Sequence, residues 1–315
     1  MQAAVVNRYG APDVVGIREV PRPAPRGDEV LVRVRAAAVT SADSRIRGAR
    51  FPAGFGPFAR LAFGVFRPRR TVLGSAFSGE VVSVGAHVRD LAPGDEVCGM
   101  TGMRLGAHAE YVAVPARKLA RKPSAVSHED AAGLLFGGST ALFFLRDKAS
   151  VGPGMSVCVN GASGAVGTNA VQLAKHFGAT VTGVTSTANA GLVADLGAAR
   201  VIDHTRDGLA GVTERFDVVL DAVGNLSIAS GRRLLNPGGV LLLAVADLGD
   251  TIRARGKVVA GPAPERVANF EFLLGLAAEG TLRVVIDRIH ELSDIAEAHR
   301  RVDTGRKVGN VVVRP

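Results

Sequence analysis

SVCVNGASGAVGTNAVQLAKHFGA, from Ser156 to Ala179, is the stretch on which the fold turns. A strand-type apolar run, Ser156 to Ser163, meets Ala162-Ser163-Gly164-Ala165-Val166-Gly167, and an amphipathic helical stretch follows at once. The spacing is that of Gly-x-Gly-x-x-Gly with Ala162 at the first position. Such a turn works through its backbone. A glycine at 164 lets a pyrophosphate come close, a glycine at 167 lets the helix pack tightly on its strand, and the N–H groups opening the helix receive the anion. Strand, glycine turn, helix and a further strand in that order make a dinucleotide-binding unit a better reading than a chance turn.

About twenty residues on, where the acid of an NAD-selective site is expected, the next strand ends in Val184-Thr185-Ser186-Thr187. No Asp or Glu is there to grip a ribose 2′-hydroxyl, and hydroxyls can donate to a 2′-phosphate. The spacing predicts NADPH as cofactor, with Thr185, Ser186 and Thr187 beside the adenosine ribose. The same residues also suit an ordinary cap for the following helix.

Outward from this unit the pattern repeats. TVTGVTS, RVID, FDVVLDAV and GGVLLLAVA are short apolar runs separated by helical stretches such as GLVADLGA, as in a parallel sheet covered on both faces. Ahead of it, SAVSHEDAAGLLFGGSTALFFLRDKA opens with a Ser127/Asp130 capping signal and continues as an apolar helix. The first third reads as β: Val30 to Val39 and Gly79 to Val88 alternate like strands, between Gly/Pro turns. A tail with a helix (265–279), a strand (284–289), a helix (293–302) and the strand GNVVVR is expected to return to that first region. The expected division is a β-domain over 1–120, a doubly wound domain over 121–260 and a returning segment over 261–315.

Composition narrows the class. With 47% hydrophobic and 21% charged residues in 315, the chain is globular and long enough for two cores. It has no apolar run of membrane-spanning length. The N-terminal MQAAVVNRYG lacks the pattern of a secretory signal. Cys98 and Cys158 are the only cysteines, too few for a metal cluster or a disulfide framework, and the expected compartment is the cytoplasm. The net charge is +9, and nine arginines against one acid, Asp43, lie between Arg33 and Arg70. No nucleic-acid-binding motif accompanies them, so a solvated basic face is the better reading than a phosphate-binding surface. Within this stretch, residues 51–70 form an expected Gly/Pro-broken loop holding five of the 13 phenylalanines. Two readings stay open, a hydrophobic lid over a cleft or an insert packed on the β-domain.

These segments resemble the medium-chain dehydrogenase/reductase superfamily, specifically its zinc-independent quinone oxidoreductase (zeta-crystallin-like) branch. The resemblance is carried by VTSADSRIRG, GSAFSGEVVSVGAHVRDLAPGDEVCG, AEYVAVPARKLARKP, GASGAVGTNAVQLAKHFGA, LGAARVIDH, FDVVLDAVGN and IDRIHELSDIAEAHRRVDTGRKVGNVVV, and spans almost the whole chain. It implies a GroES-like β-domain joined to a Rossmann doubly wound parallel sheet. Zinc-dependent relatives have Cys or His ligands where this chain has Thr40, Ser75-Ala76 and Phe136, a set unsuited to zinc, so the resemblance implies no metal. Relatives often carry Asn at the position of Thr40. By resemblance Thr40 is the catalytic candidate, bonding the nicotinamide or a substrate carbonyl, although a strand-end threonine bonding its own backbone fits equally well. Asp43 reads as a helix cap.

The resemblance further implies that Thr140 approaches the nicotinamide, that Val223 and Ala244, Val245 and Ala246 line its pocket, and that Gly309-Asn310 closes the cleft. Where many relatives have Lys or Arg after the Ser-Thr pair stands Ala188, with Arg200 or His204 as the compensating cation. Phe55 and Phe58 are the substrate candidates, for a hydrophobic carbonyl or quinone. Arg45, Arg47 and Arg50 read as solvated, with attraction of a carbonyl or anionic group as the alternative. The expected activity is NADPH-dependent hydride transfer to a quinone or α,β-unsaturated carbonyl, in a homodimer paired through 257–260. An enoyl-thioester or biosynthetic-intermediate reductase is the alternative, and a non-catalytic NADPH-binding protein the rival of another class.

Overall fold

The computed structural model describes residues 1–206 and 208–315. The β-domain opens with an antiparallel pair, β1 (Gln2–Val6) and β2 (Val15–Glu19). The long strand β3 (Glu29–Val39) runs into helix α1 (Ser41–Gly48), and α2 (Gly56–Phe63) follows. Next come β4 (Ala76–Val84), β5 (Glu96–Met100), β6 (Tyr111–Pro115) and β7 (Leu119–Arg121).

Helix α3 (His128–Leu142) leads into the second domain, its Ser127 hydroxyl capping the Asp130 N–H at 3.0 Å. The alternation is then β8 (Ser156–Asn160), α4 (Ala165–His176), β9 (Thr180–Thr185), α5 (Ala190–Asp195) and β10 (Arg200–Asp203). It continues through β11 (Phe216–Asp221), α6 (Ile228–Arg233), β12 (Leu235–Leu243), α7 (Leu248–Arg253) and β13 (Val258–Ala260). The tail is α8 (Val267–Ala278), β14 (Ile286–Glu291), α9 (Ile295–Asp303) and β15 (Asn310–Arg314).

The six strands β8 to β13 form one wholly parallel sheet in the order β10-β9-β8-β11-β12-β13. Such a sheet is buried on both faces, hence the near-continuous apolar runs. Its order reverses between β8 and β11, which opens a crevice at their C-terminal ends. In the other sheet, β14-β15-β3-β4-β5-β7 with β6 also on β3, the last strand pairs antiparallel with β3. Strand β15, though late in the sequence, therefore lies inside the seven-stranded sheet of the β-domain. One core cluster joins the two domains. Leu134, Leu135 and Leu142 of α3 pack with Ala76, Cys98 and Met100 on one side and with Val157, Val159 and Val171 on the other.

The structure corrects three sequence expectations. The strand expected over 79–88 begins at Ala76 and stops at Val84: Gly85 makes a last bond to Glu29 at the start of β3, and His87 then donates to Gly27, which lies ahead of that strand. The strand expected from Ser156 to Ser163 ends at Asn160, where Gly161 and Ala162 both turn to donate to the Val184 carbonyl. The expected loop 51–70 contains the helix α2, with Pro57 in its first turn, where proline's missing N–H removes no helical bond.

Candidate active site

At the C-terminal end of β8 the chain turns tightly into α4. A Cβ added at Gly164 would lie 3.5 Å from its nearest neighbour, the Gly161 carbonyl oxygen, so the space ahead of this residue is open. One added at Gly167 would lie 2.1 Å from that oxygen and 2.7 Å from the Ala162 Cα, so only glycine lets α4 start this close to β8. The first-turn N–H groups of Ala165, Val166 and Gly167 have no helical carbonyl to bond and lie at the positive end of the helix dipole. Open space in front of such an end is what a pyrophosphate requires.

Ser163 ties this turn to both sides. Its hydroxyl accepts from Thr185 Oγ1 at 2.8 Å and from Asn189 Nδ2 at 3.2 Å. Its carbonyl accepts the Gly309 N–H at 2.8 Å, and Gly164 and Gly309 form a parallel bridge. The segment just before β15 is thus one wall of the nucleotide turn. Asn310 beside it is buried and donates through Nδ2 to the Val285 carbonyl at 3.0 Å. Lys307 Nζ donates to the Gly309 carbonyl at 2.5 Å, and burial lowers this ammonium to about 8.

Across the switch point, the buried carboxylate of Asp221 accepts the N–H groups of Val223, Gly224 and Leu226 at 2.9 to 3.0 Å and Asn160 Nδ2 at 2.9 Å. This fixes the loop that presents Val223, which is 49% exposed at the crevice. Ala244, Val245 and Ala246 leave the adjoining strand β12 at the same end of the sheet. Thr140 lies on α3 and donates to the Phe136 carbonyl at 2.8 Å.

Beside Thr187 the fold brings in a residue that the sequence reading missed. Thr187 Oγ1 donates to the Asp203 carboxylate, whose other oxygen accepts Thr205 Oγ1 at 2.6 Å. Those hydrogen bonds, Thr187's first, hold Asp203 at about 2. The turn after β9 contains no acid, but the end of the adjacent strand β10 supplies one. The signal in the sequence is Arg200-Val201-Ile202-Asp203, one strand beyond Thr185 to Thr187. Of the two candidate cations, Arg200 is paired with Glu214, and His204 is exposed.

Thr40 is the N-cap of α1 in a reciprocal capping box. Its hydroxyl donates to Asp43 Oδ2 at 2.6 Å and its N–H to the same oxygen at 2.8 Å, while Asp43 Oδ1 accepts the Gly74 N–H at 3.0 Å. The hydroxyl proton is therefore committed to Asp43. Ser75 is buried, and Phe136 packs on the shared core. Among the described residues no group of three or more His, Cys, Asp or Glu is placed to hold a metal ion.

The segment 51–56 spans to the second domain at the rim of the crevice, where Leu248 of α7 donates to the Ala53 carbonyl at 2.9 Å. Phe55 is half-buried and Phe58 exposed. Arg47 is not solvated, as the sequence suggested. It is fully buried, bonding Asp303 at 2.6 Å and the Gly10 carbonyl, and Arg50 shares Asp303. Arg45 is largely enclosed, which lowers its pKa.

Comparison with known proteins agrees with this architecture. Residues 26–124 match the family model of the alcohol dehydrogenase GroES-like domain, and residues 196–313 that of zinc-binding dehydrogenases. A 2-methylene-furan-3-one reductase of Solanum lycopersicum is 33% identical over 100% of this chain and 79% of its own length. The chain belongs to the medium-chain dehydrogenase/reductase superfamily. Also within this superfamily, an NADPH-dependent alkenal/one oxidoreductase of Arabidopsis thaliana is 31% identical over 100% of the chain and 80% of that protein. The solved quinone oxidoreductase of Coxiella burnetii superposes with a TM-score of 0.90 at 28% identity, covering 100% of this chain and 99% of that one. Superfamily membership accounts for the unbroken course of the chain from β-domain to parallel sheet and back.

Proposed function

We propose that the protein is an NADPH-dependent reductase of activated alkenes and quinones that works without zinc. The observation that carries this reading is the seat at the switch point, with open space before Gly164 and an unpaired helix start; Val223 and Ala244 to Ala246, at the same end of the sheet, are the residues we assign to the nicotinamide. These residues fit a dinucleotide. Bound NADPH would supply the hydride. The protein's own part is to orient and to exclude water. An acceptor conjugated to a carbonyl is already electrophilic, and the enolate or hydroquinone that forms can take its proton from water, so no acid–base pair is required.

The similarity to relatives named for alkenal, furanone and quinone reduction supports this substrate class. Thr40, Ser75 and Phe136, the first with its proton given to Asp43, support chemistry without a metal. The same reading includes a homodimer paired through the sheet-edge strand β13, whose open edge is otherwise a liability. It also includes a cytoplasmic location, in keeping with two free, buried cysteines whose thiols burial raises to about 12.

The test is oxidation of NADPH across a panel of hydrophobic quinones, enones, small polar aldehydes and acyl thioesters, with and without a chelator. Turnover of quinones and enones, unaffected by the chelator, is expected. Preference for acyl thioesters graded by chain length would move the assignment to a thioester reductase. Loss of activity on chelation and its return with zinc would overturn metal independence.

A further inference from the structure

The segment 51–70 has two apolar sides, and the fold uses one of them. Phe51 and Phe63 stack with ring centroids 5.9 Å apart and pack against the β-domain core. Phe58 and Leu61, three residues apart on α2 and so on one face, are 63% and 64% exposed, and Phe66 just beyond is 92% exposed. A well-built turn presents them. Gly64 donates to the Arg60 carbonyl at 2.8 Å, Arg60 Nη1 to the Val65 carbonyl at 2.8 Å, and Arg69 N–H to the Phe63 carbonyl at 2.7 Å. Tyr9 anchors the base by donating to the Gly64 carbonyl at 2.6 Å. Gly64 has φ of +124°, and a Cβ there would lie 1.9 Å from the Arg67 carbonyl oxygen, so only glycine makes this turn.

Charge surrounds the exposed rings. Arg60, Arg67, Arg69 and Arg70 are all exposed. No acid occurs in the sequence between Asp43 and Glu80, and none of the four forms an ion pair among the described residues. A nearly bare phenylalanine on a tight turn, ringed by unpaired arginines, matches the two demands of a lipid interface: apolar side chains to enter the headgroup boundary, and cations to meet anionic lipid. A second copy of the chain fits poorly, because it would set four arginines against four more.

We propose that this tip, centred on Leu61 and Phe66, is a docking surface for a bilayer carrying anionic lipid. It lies on the half of the segment beyond the crevice rim, and the proposal stands independently of the reductase reading.

The test is co-sedimentation of the full chain, without cofactor, with phosphatidylcholine vesicles and with vesicles containing about one-third phosphatidylglycerol. The protein should pellet with the anionic vesicles, remain in solution with phosphatidylcholine alone, and be released by salt. Leu61→Ser with Phe66→Ser should abolish pelleting without moving the thermal midpoint. Arg67→Gln, Arg69→Gln and Arg70→Gln should each weaken partitioning roughly fivefold. The proposal is overturned if the chain ignores anionic vesicles, if it binds neutral ones equally, or if the serine variant binds as well as the parent. Light scattering that shows a dimer dissociated by the same serines would assign the face to a second copy and overturn it too.

Discussion

A Cβ at Gly164 would meet nothing closer than 3.5 Å, whereas one at Gly167 would lie 2.1 Å from a backbone oxygen, and the two positions should answer differently to substitution. Gly164→Val should leave the thermal midpoint close to that of the parent and abolish NADPH binding, because its methyls fill the pyrophosphate space. Gly167→Ala should instead destabilise the fold by about 1–3 kcal/mol through overpacking. Calorimetry beside cofactor titration separates the two, and a Gly164→Val protein that still binds NADPH normally would move the pyrophosphate elsewhere. Asp203 bears on cofactor choice. Held at about 2, it is ionised at any working pH, and its bond to Thr187 puts a negative charge where a 2′-phosphate is expected. Asp203→Asn should therefore tighten NADPH on the order of fivefold, with little change for NADH. Equal changes for both cofactors would mean that the 2′-phosphate lies away from Thr187.

At the scale of elements, α1 shows how a motif can be visible and its role hidden. Thr-x-x-Asp reads as a capping signal and also as a departure from a family's catalytic amide, and the structure shows the first of these in place. The Thr40 hydroxyl proton goes to Asp43. Thr40→Ser should keep both stability and turnover. Thr40→Val should cost about 1–2 kcal/mol in urea denaturation while the folded fraction keeps its kcat at saturating NADPH. A kcat lost well beyond the folded fraction would show that Thr40 takes part in the chemistry as well as in the cap. The parallel strands and their helices were legible because buried strands between amphipathic helices leave a periodic trace. Helix α2 was not, because Gly54, Gly56, Pro57 and Gly64 break the pattern that would announce it. Asp203 is not legible beside Thr187 because the ends of β9 and β10 are neighbours in the sheet but separated in sequence. Arg47 was misread because nothing local in the sequence reveals Asp303 as its partner.

At the scale of the whole molecule, the two domains share a core through α3 and a polar seam at 307–310. Lys307 makes that seam sensitive to pH. Its folded pKa of about 8 lies below the ordinary value of 10.5, so between these the unfolded chain binds the extra proton, and stability from this residue rises with pH across that window. Relative to Lys307→Met, the parent should gain about 2–3 kcal/mol between pH 7 and 10 in urea denaturation. A difference that stays flat would mean that the ammonium is not held inside. The neighbouring stitch, in which the Gly309 N–H meets the Ser163 carbonyl, has a plainer consequence. The wall that Gly309 gives the glycine turn is encoded far downstream of that turn, so a growing chain has made Gly164 and Gly167 well before the residue that covers them on this side. A nascent or clipped chain that stops short of Gly309 carries every glycine of the nucleotide turn and still leaves that turn open on one side.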